Sequence, residues 1–119
     1  MLELFRKLIE VRDVSHQMHF NGTDSGYHHE ALQEFYTDLL EHLDLFVEVY
    51  QGQYGLVDNF GEFESVDFSD KEKYFTEFAV FINSKRSDIN DDEAVHLQAI
   101  VDDIMISTYK LLYKLKNLK

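Results

Sequence analysis

The residues of this sequence best suited to chemistry are histidines and carboxylates in its first half. The interval 13–70 contains no lysine or arginine, and it holds five of the six histidines and thirteen acidic residues. Here His16 and His19 are three residues apart and Asp44 and Glu48 are four apart. Each pair would share one face of a helix. Because imidazole nitrogen and carboxylate oxygen without sulfur suit iron, manganese or zinc, the pattern predicts a metal site.

The spacing of these residues limits how a metal could be bound. His29 and Asp44 are fifteen residues apart. On one straight helix they would lie about 22 Å apart along the axis, too far to ligate the same ion. Two such helices packed antiparallel about a two-fold axis would bring His29 of one chain near Asp44 and Glu48 of the other. A site that uses all three residues therefore requires a dimer with an isologous interface.

A second arrangement stays open, in which one chain holds a di-metal site. Di-iron helical bundles use a Glu-x-x-His motif on each of two helices, with one further Glu from each of the other two. Glu93 and His96 fit this spacing, and Asp13 and His16 approximate it. Capping at the start of a helix also explains Glu93, so this spacing has a structural explanation as well.

Hydrophobic periodicity is helical along almost the whole chain. Four segments each carry one apolar stripe, and four such helices bury their stripes most simply in a bundle. The stripe residues are Leu4, Leu8, Val11, Ser15 and Met18 in the first segment, Leu32, Tyr36, Leu39, Leu43, Phe46 and Tyr50 in the second, Tyr74, Phe75, Phe78, Ala79 and Ile82 in the third, and Ala94, Leu97, Val101, Ile104, Met105, Thr108, Leu111 and Leu115 in the fourth. We therefore predict an all-α four-helix bundle that forms a single domain over residues 1–119. The predicted helices cover about residues 2–20, 27–50, 69–83 and 90–115. They are separated by a turn at 21–26, an acidic, aromatic connection at 56–68 and a polar break at 84–90. The connection is expected to hold a short helical turn.

Local signals predict where these helices begin and end. Glycine favours the left-handed conformation that terminates helices, and Ser or Asn followed three residues later by Glu forms a capping box. The second helix is therefore expected to end at glycines, and the third and fourth to begin at capping boxes. The residues concerned are Gly52 and Gly55, Ser69 with Glu72, and Asn90 with Glu93.

Composition excludes several classes of protein. The 119 residues include no cysteine, which excludes a disulfide framework, a thiolate zinc site and a cysteine nucleophile. The formal net charge of −12 argues against DNA binding, because proteins bind nucleic acids chiefly through positive charge. No apolar run reaches the roughly 18 residues of a membrane span, and the N-terminus lacks a signal-peptide pattern. We therefore expect a cytoplasmic protein without a membrane segment.

Part of the sequence resembles the miniferritins, the Dps or starvation-induced DNA-binding proteins of the ferritin-like superfamily. The similar stretches are Met18-His19-Phe20, His29-Glu30-Ala31-Leu32, Glu41-His42-Leu43-Asp44 and Glu48. The resemblance implies a ferritin-like fold and a ferroxidase site between two-fold-related subunits. It also implies the iron ligands: His19 and His29 from one chain, and Asp44 and Glu48 from the other.

The function implied by this resemblance is that of a small acidic ferritin-like protein, a homodimer or a larger homo-oligomer. It would bind iron, with zinc or manganese as substitutes, and could oxidise Fe(II). The chain also resembles small ferritin-like proteins encoded by bacteriophages, which would place it in the host cytoplasm. The alternative is an interaction or inhibitor protein without enzymatic activity, which keeps the bundle but binds a host protein. The acidic, aromatic connection at 56–68 motivates that alternative.

Overall fold

The chain folds into helices that pack side by side, as the apolar periodicity predicts. The computed structural model describes residues 1–21, 25–89 and 92–118, and within them it contains helices and no strand. None of these helices has the length and hydropathy needed to cross a bilayer. The all-α prediction is confirmed. The α-helices are α1 (Leu2–Phe20), α2 (Gly26–Tyr54), α3 (Lys71–Asp88) and α4 (Val95–Asn117), and the short 3-10 helix Asp92–Ala94 precedes α4.

Neighbouring helices of the bundle run antiparallel. Side-chain contacts join the start of one helix to the end of its neighbour in the pairs α1–α2, α1–α3 and α2–α4, and the last turn of α3 contacts the first half of α4. Consequently α1 and α4 point one way, while α2 and α3 point the other way. The contacts are Phe5 with Tyr50, Glu3 with Lys85, Glu34 with Lys114, and Arg86 with Asp102.

The segment between α2 and α3, residues 55–70, runs alongside α1 without forming a helix. The ring of Phe60 lies 5.9 Å from that of Phe5. The Arg6 guanidinium donates to the backbone carbonyl of Glu62 and lies 5.7 Å from the centre of the Phe63 ring. The prediction of a short helical turn at 56–68 is therefore wrong. These residues pack against α1 and stay non-helical.

The predicted apolar stripes form the core. Every stripe residue predicted on α1 and α3 is buried, and those on α2 and α4 are buried or partly buried. Phe5 is fully buried and its ring makes edge contacts with Phe46 at 5.6 Å and Tyr50 at 5.1 Å. Since Phe5 also touches Phe60, one side chain joins α1, α2 and the connection.

The second helix is longer than predicted. It continues past Tyr50 to Tyr54 and includes Gly52, which lies on the exposed surface of the helix. The expectation that Gly52 ends the helix is wrong, since glycine lowers helix propensity by only about 1 kcal/mol and a long packed helix tolerates that. Gly55 does end α2, with a positive φ of 101° that an L side chain rarely adopts.

The third helix differs from its prediction at both ends. The predicted Ser69 cap is wrong: Asp70 caps α3 by accepting a hydrogen bond of 3.1 Å from the backbone N–H of Lys73. The helix also continues through the predicted polar break as far as Asp88. Lys85 donates to Glu3 of α1 at 2.6 Å. Local sequence rules cannot predict this contact, because the two residues are far apart in the chain.

The fourth helix begins later than predicted. Asn90, the expected cap, lies outside the described residues. Glu93, the other half of the proposed capping box, lies in the 3-10 helix, and α4 itself begins at Val95. The helix then runs to Asn117, two residues past the predicted end.

Truncation of Phe5 should weaken the whole bundle. Phe5→Ala is expected to lower the free energy of unfolding by about 3–5 kcal/mol, because it removes a fully buried ring and leaves a cavity. Urea denaturation followed by circular dichroism measures this change. Leu56→Ala is the control, since Leu56 is 82% exposed and its truncation should cost no more than about 0.5 kcal/mol. Equal losses in the two variants would contradict the packing described here.

An ion pair links the first half of α2 to the end of α4. The Lys114 ammonium donates to Glu34 at 2.8 Å, and Lys110 approaches the same carboxylate at 3.5 Å. The hydrogen bond from Lys114, and then its charge, hold the pKa of Glu34 below its ordinary value of 4.5. Folding therefore favours the ionised form of this carboxyl group.

Removal of this pair should have an effect that depends on pH. Lys114→Gln is expected to destabilise the protein by at most about 1 kcal/mol at neutral pH, because water screens the half-exposed Glu34. A lowered folded-state pKa stabilises the fold above pH 4.5, and this contribution is lost as the pH falls further. The difference from wild type in urea denaturation should therefore shrink on acidification. Lys116→Gln, in the same turn, is the control, and a difference independent of pH would contradict the assignment.

Candidate metal site

Five ring side chains meet where the end of α1 packs against the start of α2. We call this group the histidine–aromatic cluster. The antiparallel packing brings the last turn of α1 beside the first turns of α2, and the spacing of His16 and His19 places both toward that contact. The members are His16, His19, Phe20, His29 and Tyr36.

His19 and His29, the two predicted nitrogen ligands, are in direct contact. Their rings stack with centroids 3.9 Å apart and an interplanar angle of 23°. Nδ1 of His19 lies 3.1 Å from the backbone carbonyl oxygen of His29. A carbonyl only accepts hydrogen bonds, so in the neutral ring Nδ1 carries the proton and donates it, which leaves the lone pair on Nε2 of His19. A backbone acceptor of this kind commonly orients histidines that bind metals.

His16 lies between two aromatic rings beside this pair. Its ring stacks on Phe20 at 4.2 Å and on Tyr36 at 4.3 Å. Tyr36 also meets His19 edge-on at 5.4 Å, so it bridges the two histidines of α1. Phe20 remains 72% exposed, which leaves a large apolar surface next to the imidazoles.

Sequence reasoning missed the role of the two aromatic residues. Tyr36 was predicted as part of the apolar stripe of α2, and it is partly buried against the imidazoles of His16 and His19. The separation of four residues between His16 and Phe20 was a signal, since side chains so spaced on a helix are neighbours. No local pattern places Tyr36 against His16, since that contact depends on how the two helices pack.

The two predicted carboxylate ligands lie farther along α2. Asp44 and Glu48 are exposed, and no hydrogen bond or ion pair joins either to another described residue. They lie about 22 Å and 28 Å from His29 along the helix axis. The structure therefore brings His19 and His29 together and leaves Asp44 and Glu48 apart from them within one chain.

The carboxylates belong to a surface that runs the length of α2. Residues spaced by three or four positions share a helix face, and five of them are all exposed here. We call this surface the outer face of α2. Its residues are Gln33, Thr37, Leu40, Asp44 and Glu48.

One copy of the chain does not complete a metal site among the residues that the structure describes. No group of three or more His, Asp or Glu side chains there is placed to hold an ion. The His19–His29 pair supplies two nitrogen donors, whereas sites in proteins use four or more ligands. The donor chemistry fits iron, zinc or manganese, provided that oxygen ligands come from a second copy.

The alternative di-metal site within one chain is not formed. His96 lies beside Gln53, with its Nε2 2.7 Å from the side-chain oxygen of that residue. Gln53 is in the last turn of α2, whereas His16 lies beside Tyr36, in the first half of that helix. Since Tyr36 and Gln53 are about 25 Å apart along α2, the two halves of the expected motif cannot share a pair of metal ions.

The fold and this site define an all-α protein with a pair of stacked histidines near one end of its bundle. Residues 19–115 match a family described as a family of unknown function, DUF5856, and the chain belongs to that family. The matched region begins at His19 and includes His29, Asp44 and Glu48. No curated protein and no solved structure matches the chain.

The hydrogen bonds predict different tautomers for two histidines at this end of the bundle. Neutral His19 should carry its proton on Nδ1, because that atom faces the carbonyl of His29. Neutral His28 should carry it on Nε2, which lies 2.6 Å from the carbonyl oxygen of Leu118. Long-range ¹H–¹⁵N correlation spectra distinguish the two forms. If His19 showed the Nε2–H form, the proposed orientation of its free lone pair would be wrong.

Proposed function

We propose that this protein binds iron or another divalent metal between two copies related by a two-fold axis, and that it oxidises Fe(II) at that site. The observation that carries the proposal is the His19–His29 pair, in which a backbone acceptor leaves Nε2 of His19 free to bind. Asp44 and Glu48 would supply oxygen ligands from the second copy. Zinc or manganese would use the same donors.

The direction of the helices supports a ferritin-like fold. Ferritin-like bundles have one long crossover connection, between helices that run in the same direction. In this protein α2 and α3 are parallel, and residues 55–70 join them across the bundle. We therefore propose that the four helices form a ferritin-like bundle, which would agree with the resemblance of His19, His29 and Asp44 to the miniferritin pattern.

The outer face of α2 is suited to the required dimer. An axis beside Thr37 lies eight residues after His29 and seven before Asp44, so an antiparallel copy of α2 would place these two residues side by side. Thr37 is small enough for close approach of two helices at this point. The exposed Leu40 on the same face would supply apolar contact in an isologous interface.

The chemistry follows from the charge and type of the donors. Fe(II) is the substrate; each ion loses one electron, and dioxygen accepts the electrons. Asp44 and Glu48 would balance positive charge as the ion becomes Fe(III), and hard carboxylate oxygens favour the more highly charged ion. The acidic interval 13–70 would draw cations toward the surface of the protein.

Protein binding without metal is the second candidate function. Leu56, at the start of the connection, is 82% exposed, and Tyr54 next to it is about half exposed. An apolar pair on an acidic surface suits a contact with another protein. Phe60 and Phe68, by contrast, pack against the core, so a partner would contact only part of the connection.

Metal binding should depend on both halves of the proposed site. His29→Ala and Asp44→Ala are each expected to abolish tight Fe(II) binding measured by anaerobic calorimetry. Both should also reduce aerobic Fe(II) oxidation, followed as ferric absorbance, to the rate in buffer. Leu40→Glu keeps all four ligands but places charge in the interface, so it should also lose binding because the two copies separate.

Matched variants keep this test specific. His96→Ala removes a histidine at the other end of the bundle, and Asp58→Ala removes an exposed carboxylate from the connection. Both should bind and oxidise Fe(II) like wild type. Unchanged binding in His29→Ala and Asp44→Ala would refute the site. Absence of binding in the wild type would leave protein binding as the function.

A further inference from the structure

The outward side of α4 carries an apolar stripe that the core does not use. Four large apolar side chains are each 56–61% exposed, and their spacing of eleven, three and four residues places them on one face of the helix. We call them the α4 stripe. Its members are Val95, Ile106, Tyr109 and Tyr113. Several large apolar side chains exposed on one helix face are typical of an interface.

The charged residues beside the stripe are separated by sign along the helix. Asp102 and Asp103 lie before Ile106, whereas Lys110, Lys114 and Lys116 lie after it. Asp103 and Lys110 flank the stripe on the same side and are mostly exposed, with relative side-chain areas of 59% and 61%. Their contacts within the chain are long, at 3.8 Å to His42 and 3.5 Å to Glu34. Both charges can therefore face a partner.

We propose that the α4 stripe binds the same stripe of a second copy, with the two α4 helices antiparallel about a two-fold axis at Ile106. In this arrangement Asp103 of each copy lies opposite Lys110 of the other, offset by only about 1.5 Å along the helix axis. The two pairs are equivalent by symmetry. This interface is separate from the outer face of α2 and goes beyond the proposed metal site.

The order of the charges selects the antiparallel arrangement. In a parallel pair related by a two-fold axis along the helices, Asp103 and Lys110 of the two copies would lie on opposite sides of the stripe and could not pair. The antiparallel arrangement brings both pairs to the same side, where opposite charges attract across the interface. The charges therefore favour the antiparallel orientation over the parallel one.

The sizes of the stripe residues also suit this arrangement. An axis at Ile106 sets Tyr113 of one copy opposite Ala99 of the other, and Ala99 is exposed on the same face of the helix. The small side chain leaves room for the tyrosine ring. On the other flank, the Tyr109 hydroxyl of one copy lies opposite Asp102 of the other, which would accept a hydrogen bond from it.

Sedimentation velocity in the presence of a chelator tests this interface. The experiment uses Leu40→Glu as background, since that change removes the dimer proposed for metal binding and leaves only association through α4. We expect this variant to form dimers, and the further change Ile106→Glu to make it monomeric. Asp103→Lys should weaken the dimer by roughly tenfold or more, because it faces two lysines against each other.

Two further variants separate a specific interface from general damage. Adding Lys110→Asp to Asp103→Lys exchanges the charges and should restore the dimer, which loss of folding could not do. Val80→Glu, at a residue of α3 that is 68% exposed and outside the stripe, should leave the dimer unchanged. A Leu40→Glu protein that is monomeric at every concentration would overturn the proposal. So would a dimer that survives Ile106→Glu, whatever the outcome for Fe(II) binding.

Discussion

The parallel direction of α2 and α3 is the constraint on which the rest of this structure depends. A chain that leaves the end of α2 must return along the bundle before α3 can begin, so residues 55–70 form a long connection beside α1. In this connection the Phe60 ring contacts Phe5, and Glu62 and Phe63 contact the Arg6 guanidinium. The connection covers the side of the bundle where α1 and α3 meet. The outer sides of α2 and α4 remain open to solvent, and both proposed interfaces use them.

The length of α2 has a second consequence, because one helix carries both halves of the proposed ligand set. Its 29 residues extend about 43 Å, and that length separates His29 from Asp44 and Glu48 within a copy. The same separation would place the halves together in an antiparallel dimer and form two equivalent sites. Metal binding and association would then be linked, because each copy would complete the site of the other.

Much of the fold could be predicted from the sequence, since the stripes of Leu, Phe and Ile repeat at the helical period and define which faces are buried. The ends of the helices were harder to predict. The sequence around residue 84 is polar and suggests a break. The helix α3 nevertheless continues, because Lys85 forms an ion pair with Glu3 of α1 and Arg86 forms one with Asp102 of α4. Such contacts join residues 16 to 82 positions apart, and no local rule includes them.

The residues of the candidate site could be nominated from the sequence, but their arrangement could not. The resemblance to the miniferritin pattern selected His19 and His29, and the structure brings them into contact. The backbone acceptor that orients His19, and the stacking of Tyr36 on His16, depend on how α1 packs against α2. Side-chain type can therefore nominate ligands, whereas tautomer and orientation follow only from the packed helices.

The hydrogen bond between His28 and the carbonyl of Leu118 has a practical consequence for the design of experiments. It holds the end of α4 beside the residue that precedes His29. A label on the exposed Asn117 would therefore lie close to the candidate site, where it could disturb metal binding. A label on Leu2 would avoid this, because Leu2 lies about 25 Å from His19 along α1.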